Sequence, residues 1–308
     1  MSYFYGPVSS RRLGFSLGVD LFPKKTCSFN CIYCQLGKTS KKTLRRLSFA
    51  NLYKLRKELR EILRKKPKID YITISGSGEP TLHKNLDKII SLIKKETKNN
   101  YPICVITNSS LLYRKDVRKE LRKADLLIPS LDSASPQLFK KINRPHSKIS
   151  LSKIIKGLIS LRKEFKGKIW LEIMLVKGLN DTLGEAKKIK KVVEKIAPDK
   201  IHLNLPTRPT PTKIPIPNYK KLGKIKKILG KKASIVISFL KTKQKRYNHN
   251  IKENILEFLR RRPADLEELS LSLGENPSLV IKYLNTLLKE KKIKKISHKR
   301  RRVFLSYD

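Results

Sequence analysis

Cys27-Ser28-Phe29-Asn30-Cys31-Ile32-Tyr33-Cys34 governs how the rest of the chain reads, because three thiols within eight residues can serve one compact metal centre. A [4Fe–4S] cube suits them best. Such clusters usually take four cysteines, so a local trio leaves one iron open to a ligand that is not protein. A structural zinc site closes on four ligands, and only the distant His83 or His146 would complete one here. Disulfides fit less well still, since an odd trio in a chain of four Cys points to a reducing compartment. The fourth, Cys104, lies in the apolar run Tyr101-Pro-Ile-Cys-Val-Ile106 and reads as a small buried hydrophobe.

Outward from the cysteines, apolar β-rich runs alternate with helical, Lys-studded segments. Strands are expected at Phe15–Asp20, Tyr71–Gly76, Ile103–Asn108, Leu126–Asp132, Ile169–Val176 and Ile201–Pro206. Helices are expected at Leu52–Lys65, Leu86–Lys95, Arg114–Lys123, Leu151–Glu164 and Leu183–Ile196. Such alternation means parallel βα units in an α/β fold. Six units suit an incomplete barrel as well as an open sheet, and both put function at the carboxyl ends of the strands. The unusual residues obey that rule. Cys27–Cys34 follows the first expected strand, Gly76–Pro80 the second, Asn108–Ser110 the third and Ser133 the fourth.

After Pro206 the texture changes. Pro206, Pro209, Pro211, Pro215 and Pro217 fall in one short stretch that is neither helix nor central strand. A short helix at Tyr219–Leu229 and a strand at Ser234–Leu240 are expected next, and the polar, basic run Lys241–Asn250 reads as a linker. That divides the chain into residues 1–245 and 246–308. In the second part, Ile255, Leu256, Phe258 and Leu259 mark a first helix. Leu266, Leu269 and Leu271 mark a second, stopped by Gly274, and Pro277–Lys289 a third. Strands at Ile293–Ser297 and Arg302–Ser306 then flank the basic tip His298–Arg302. Three helices and a hairpin describe a winged helix, although a helical cap or dimer contact has the same outline.

Lys+Arg number 72 against 25 Asp+Glu, leaving a formal net charge of +47 in 308 residues. A Lys-rich compositional bias explains part of the excess, and ion-pair networks explain little because most bases have no acid to meet. The remainder is a strong positive field whose natural partner is a polyanion, nucleic acid first. The start, Met1–Arg12, lacks the apolar core of a signal peptide, and no run approaches a membrane span, so a cytoplasmic protein with no membrane partner is expected.

At Cys-x₃-Cys-x₂-Cys, with Tyr33 before the last Cys, the chain resembles the radical S-adenosylmethionine (radical SAM) superfamily. The resemblance implies a [4Fe–4S] cluster held by Cys27, Cys31 and Cys34, with S-adenosylmethionine on the fourth iron. Reductive cleavage of that cofactor to a 5′-deoxyadenosyl radical follows, as does an electron donor such as ferredoxin or flavodoxin. Gly76-Ser77-Gly78-Glu79-Pro80 is similar to the motif that binds the cofactor's amino group, with Ser77 where many members have Gly. By the same resemblance Tyr33, Thr107, Asn108, Ser130, Asp132 and Glu172 contact the cofactor. More narrowly, Gly6–Gly14, Ser75–His83, Asn143–His146 and Pro206–Pro209 look like the branch related to the wyosine-forming tRNA enzymes. The second cluster of those enzymes has no cysteines here, which sets their pyruvate-dependent chemistry apart from this chain.

Arg11, Arg12, Arg144, His146 and Arg208 lie near the expected mouth, where they suit a phosphate or carboxylate of substrate. The leading expectation is a radical SAM enzyme that modifies RNA, tRNA first. A protein or small-metabolite substrate is one alternative, and an iron–sulfur winged-helix transcriptional regulator is another. A regulator has no use for Gly76–Pro80, Asn108 and Asp132 at strand ends.

Overall fold

The computed structural model describes residues 2–210, 214–236, 250–298 and 301–307. An antiparallel pair, β1 (Phe4–Ser10) and β2 (Gly14–Val19), opens the chain. Two short strands, β3 (Thr26–Cys27) and β4 (Lys41–Lys42), then pair across the loop that carries the cysteines. Next come α1 (Leu52–Arg64), β5 (Tyr71–Ile74), α2 (Leu86–Glu96), β6 (Ile103–Thr107), α3 (Lys115–Leu121) and β7 (Leu126–Pro129). α4 (Pro136–Asn143), α5 (Leu151–Glu164), β8 (Lys168–Met174), α6 (Leu183–Ile196), β9 (Lys200–Asn204), α7 (Tyr219–Leu229) and β10 (Ala233–Ile235) complete this part.

The main sheet runs β1-β2-β5-β6-β7-β8-β9-β10, parallel from β2 onward and in chain order. Adding each strand beside the last through a right-handed crossover keeps the helices on one face, and the twisted sheet curls into a partial barrel. The expected α/β partial (β/α)6 barrel is present, widened by β1 and β10. β6, Ile103-Cys-Val-Ile-Thr107, is apolar on both faces, as a parallel strand between helices and barrel interior must be. Asn51, Ser150 and Thr182 cap α1, α5 and α6 by accepting backbone N–H bonds. Leu55 and Leu59, then Ile154, Leu158 and Leu161, form apolar stripes that bury against the sheet.

β1 is absent from the sequence reading. Gly6-Pro7 sits inside it at a break in register, and Pro is tolerated there because the strand is at the edge. The strand expected at Ser234–Leu240 is observed over Ala233–Ile235, and residues 237–240 lie outside the described residues. So does the expected linker, apart from Asn250.

The C-terminal part comprises α8 (Ile251–Arg261), β11 (Ala264–Asp265), α9 (Leu266–Leu273), α10 (Pro277–Lys289), β12 (Ile293–His298) and β13 (Arg301–Ser306). Its sheet is antiparallel, in the order β11-β13-β12. The core packs Ile255, Leu259, Leu269, Val280 and Leu284 together with Val8 from β1. This unit is therefore seated on the edge of the barrel and shares side chains with it. Among the described residues no helix is long and apolar enough to cross a membrane.

Candidate active site

Cys27 is fixed first. Its strand β3 lies against the loop after β5, where Thr26 donates its N–H to Ser77 O (3.2 Å) and Glu79 donates to Thr26 O (3.0 Å). Glycine is required at both ends of that contact. A Cβ on Gly78 would stand 2.5 Å from Thr26 O, and one on Gly76, at φ +125°, would stand 2.4 Å from Asp20 Cγ. Ser77 hydroxyl donates to Asp20 Oδ2 at 2.6 Å, so the polar residue in the Gly76–Pro80 turn ties it to the end of β2.

The segment Ser28–Ile32 docks on the C-terminus of α4. Asn30 N–H donates to Asn143 O (3.1 Å), Ile32 N–H to Ile142 O (2.9 Å), and His146 N–H to Ser28 O (2.9 Å). Two amides then meet the sulfurs: Asn108 Nδ2 stands 3.4 Å from Cys27 Sγ, and Asn143 Nδ2 stands 3.5 Å from Cys31 Sγ. Burial pushes the Cys27 thiol up to about 12 and Cys31 well above its ordinary value. Neither is a thiolate at neutral pH without a cation, which is the donor chemistry a metal centre brings out. Among the described residues no three His, Cys, Asp or Glu side chains converge where a single ion would sit. A cluster makes no such demand, since each thiolate meets a different iron. Cys104 is fully buried among Leu126, Ile128 and Trp170, as a small hydrophobe would be.

The strand ends supply the remaining groups. Glu79, 3% exposed, accepts from Thr107 Oγ1 (2.5 Å), Asn108 N–H (2.7 Å) and Thr81 Oγ1 (2.7 Å) and N–H (3.1 Å). Its carboxylate thus braces the end of β6 against the turn after β5. Asp132 accepts from Tyr33 hydroxyl (2.5 Å), Asn143 Nδ2 (2.6 Å) and Met174 N–H (2.9 Å), and burial raises it to about 6. Ser130 bridges to Glu172 across the sheet. Glu172 in turn pairs with Arg12 and accepts from Asn204 Nδ2 at 3.2 Å.

A cavity of about 370 Å³ opens at this mouth, lined among others by Tyr33, Cys34, Gly76, Arg12, Glu172 and Arg208. Its size and its mixed lining, with a few convergent polar groups, suit a small-molecule site. Arg11, Arg12 and Arg208 all face it, whereas Arg144 caps α4 and His146 packs beside the cysteine loop, neither lining the cavity. A smaller cavity of about 160 Å³ in the seam between β1 and α8 holds none of the expected site residues.

Several positioning residues escape sequence reasoning. Glu185 on α6 accepts from Ser133, Ala134 and Ser135, holding the loop after Asp132. Asn180 donates to Asp132 O (2.6 Å) and Met174 O (2.8 Å). Arg261 and Arg262 from the C-terminal unit line the mouth, and their only sequence signal is the basic triplet Arg260–Arg262 ending a helix before Pro263.

Residues 22–189 match the model of the Radical SAM superfamily. A UPF0026 protein of Methanocaldococcus jannaschii is 33% identical over 97% of this chain and 94% of its own length. A protein of Brachyspira hyodysenteriae named GTPase Obg is 42% identical over 94% of this chain, which spans 43% of that longer protein. The chain has no G-x-x-x-x-G-K-[ST] phosphate loop, since Gly37-Lys38-Thr39 lacks a glycine at Ile32. A probable dual-specificity RNA methyltransferase of Thermotoga petrophila is 26% identical over 66% of this chain and 58% of its own. Among solved structures, a radical SAM methyltransferase from Sphaerobacter thermophilus superposes with a TM-score of 0.53 at 16% identity, covering 71% of this chain and 65% of that one. The chain belongs to the radical SAM superfamily and, within it, to the UPF0026 proteins. The superfamily's cofactors are a [4Fe–4S] cluster and S-adenosylmethionine, and the donor set at Cys27, Cys31 and Cys34 fits the first.

Proposed function

We propose that this radical SAM enzyme modifies RNA, tRNA first, in the cytoplasm, by drawing a hydrogen atom from a nucleoside held at the mouth beside Cys34. When bound, the cluster supplies the electron, drawn from a ferredoxin or flavodoxin, that splits S-adenosylmethionine into methionine and the 5′-deoxyadenosyl radical. The chain's own residues do the positioning. Asn108 and Asn143 orient the sulfurs of Cys27 and Cys31, Gly76 and Gly78 let backbone approach closely, and Asp132 locks Tyr33 behind the cysteine loop. In this reading Glu172, Asn204 and Ser75 offer the polar contacts of a nucleoside or cofactor within the cavity.

The observation that carries the RNA reading is a cavity beside Cys34 walled by guanidinium groups in a chain of net charge +47. The match to an RNA methyltransferase supports it. So does the C-terminal order helix, strand, helix, helix, strand, strand, which we read as a winged helix that grips the RNA backbone, with the domain boundary near residue 245. The test is mass spectrometry of tRNA nucleosides from a strain lacking the gene. One modified nucleoside should disappear and return with the wild-type gene but not with Cys34→Ala. An unchanged nucleoside profile removes RNA as the substrate.

A further inference from the structure

We propose that Tyr307 is a stacking platform for one unpaired base, so that RNA is held as a single strand with neighbouring nucleotides in the mouth and in the groove beside it. This rests on the mouth cavity being the substrate site of an RNA-modifying enzyme, as argued above. Tyr307 follows β13 and is fixed there by its N–H, which donates to Lys292 O at 3.4 Å. Its side chain is 58% exposed and belongs to neither unit's apolar core. Packing therefore does not account for the ring.

Its surroundings do. Lys294 Nζ stands 5.4 Å from the centre of the Tyr307 ring. A ring and an ammonium side by side offer a face to a base and a charge to the phosphate that the base carries with it. Both residues border a cavity of about 410 Å³ that Gln35–Lys38 of the cysteine loop also line. Leu36 and Ile296 give it apolar wall, Lys38 adds a second ammonium, and no Asp or Glu is among the described residues that line it. Flat apolar contact joined to positive charge suits a nucleotide on both counts. Gln35 and Leu36 line the mouth cavity as well, so the two spaces meet at the cysteine loop and one chain can fill both. A base brought to the mouth for chemistry has already left any stack, and a neighbour that stays in a duplex has no face to give Tyr307. The strand that runs from mouth to groove is therefore unpaired.

The test is fluorescence anisotropy of a labelled single-stranded oligoadenylate titrated with the full-length, anaerobically reconstituted protein across a salt series. Tyr307→Leu should weaken binding about tenfold, the loss of one base stack. The factor should be the same at every salt concentration, because a stack releases no counter-ions. Tyr307→Trp should bind at least as tightly as wild type, which a variant that misfolds would not do. An abasic ribose-phosphate oligomer should bind wild type and Tyr307→Leu alike. Equal oligoadenylate affinity in wild type and Tyr307→Leu overturns the platform, and so does an equal loss on the abasic oligomer. Oligoglutamate competing as well as unlabelled oligoadenylate gives the groove to an acidic peptide and overturns it too. The RNA reading is judged apart, by the nucleoside profile. A modified nucleoside that depends on the gene, with oligoadenylate binding indifferent to Tyr307, keeps RNA as the substrate and removes only the platform. Wild-type protein that binds no oligoadenylate removes the platform, and an unchanged nucleoside profile removes the RNA reading with it.

Discussion

Glu79, in the turn after β5, and the three cysteines, in the loop that turn braces, answer to different forces. Replacing Cys27, Cys31 or Cys34 with Ala should each prevent loading of about four irons per chain on anaerobic reconstitution, since each thiolate serves its own iron. Cys104→Ala, fully buried among apolar side chains, should load normally, and iron analysis with the visible absorption spectrum reads both outcomes. Glu79 faces inward, its carboxylate accepting four bonds from Thr81, Thr107 and Asn108. Glu79→Ala leaves those buried donors without an acceptor, at roughly 1–3 kcal/mol for each one unmade. Melting temperature and S-adenosylmethionine affinity should therefore fall together. Lost affinity at an unchanged melting temperature would mean that the carboxylate meets the ligand directly.

The elements were readable where their signals are local. The cysteine trio and Gly76-Ser-Gly-Glu-Pro80 are contiguous, and α5, α6 and α7 carry apolar periodicity that marks their bounds. β1 breaks its own pattern at Gly6-Pro7, and β11 has two residues, too few for any alternation. Arg45 and Arg46 look alike in sequence, yet only Arg46 is buried, holding Thr81 O and His83 O after β5 and Asp116 and Glu120 on α3. Tertiary placement of that kind has no sequence signature. Two histidines are buried, His83 beyond β5 and His202 in β9, and desolvation lowers both to about 4. An unfolded His titrates near 6.5, so between pH 6.5 and 4 the unfolded chain binds more protons and the folded state loses stability as pH falls. Buried Asp132, raised to about 6, acts with the opposite sign in an overlapping window, so the contribution of one His is read as a difference. Relative to wild type, His202→Phe should gain about 2 kcal/mol between pH 7 and pH 5, measured by urea unfolding at each pH. A difference that does not vary with pH would mean that His202 titrates alike in both states.

At the scale of the whole molecule the C-terminal unit is a wall of the active site as well as an appendage. Val8 packs into its core and Arg261 reaches Asp20 beneath Ser77, so deleting residues 251–308 would strip the mouth as well as any RNA grip. Arg11, Arg12 and Arg208 were legible as mouth residues in the sequence, but Arg261 and Arg262 were not, and the contacts of Arg208 with Gln35 and Glu268 form only after folding. RNA contact is better tested by neutralising exposed bases. A cavity of about 410 Å³ runs between the cysteine loop at Gln35–Lys38 and the C-terminal sheet at Lys294 and Tyr307, sharing Gln35 and Leu36 with the mouth. It offers a track from the exposed Lys294 toward the cysteines, Lys295 and Arg302 are exposed on the same hairpin, and Lys299 and Arg300 at the expected tip lie outside the described residues. If tRNA follows that track, log K should fall linearly with log salt. Replacing Lys294, Lys295 and Arg302 with Gln should then flatten the slope by about 2, at roughly 0.7 per phosphate released from a single strand. Compositional charge alone would attract duplex DNA equally and would barely register three fewer bases in 72. A slope unchanged in the triple variant, with duplex DNA bound as tightly as tRNA, would make the C-terminal unit a packing wall with no part in holding RNA.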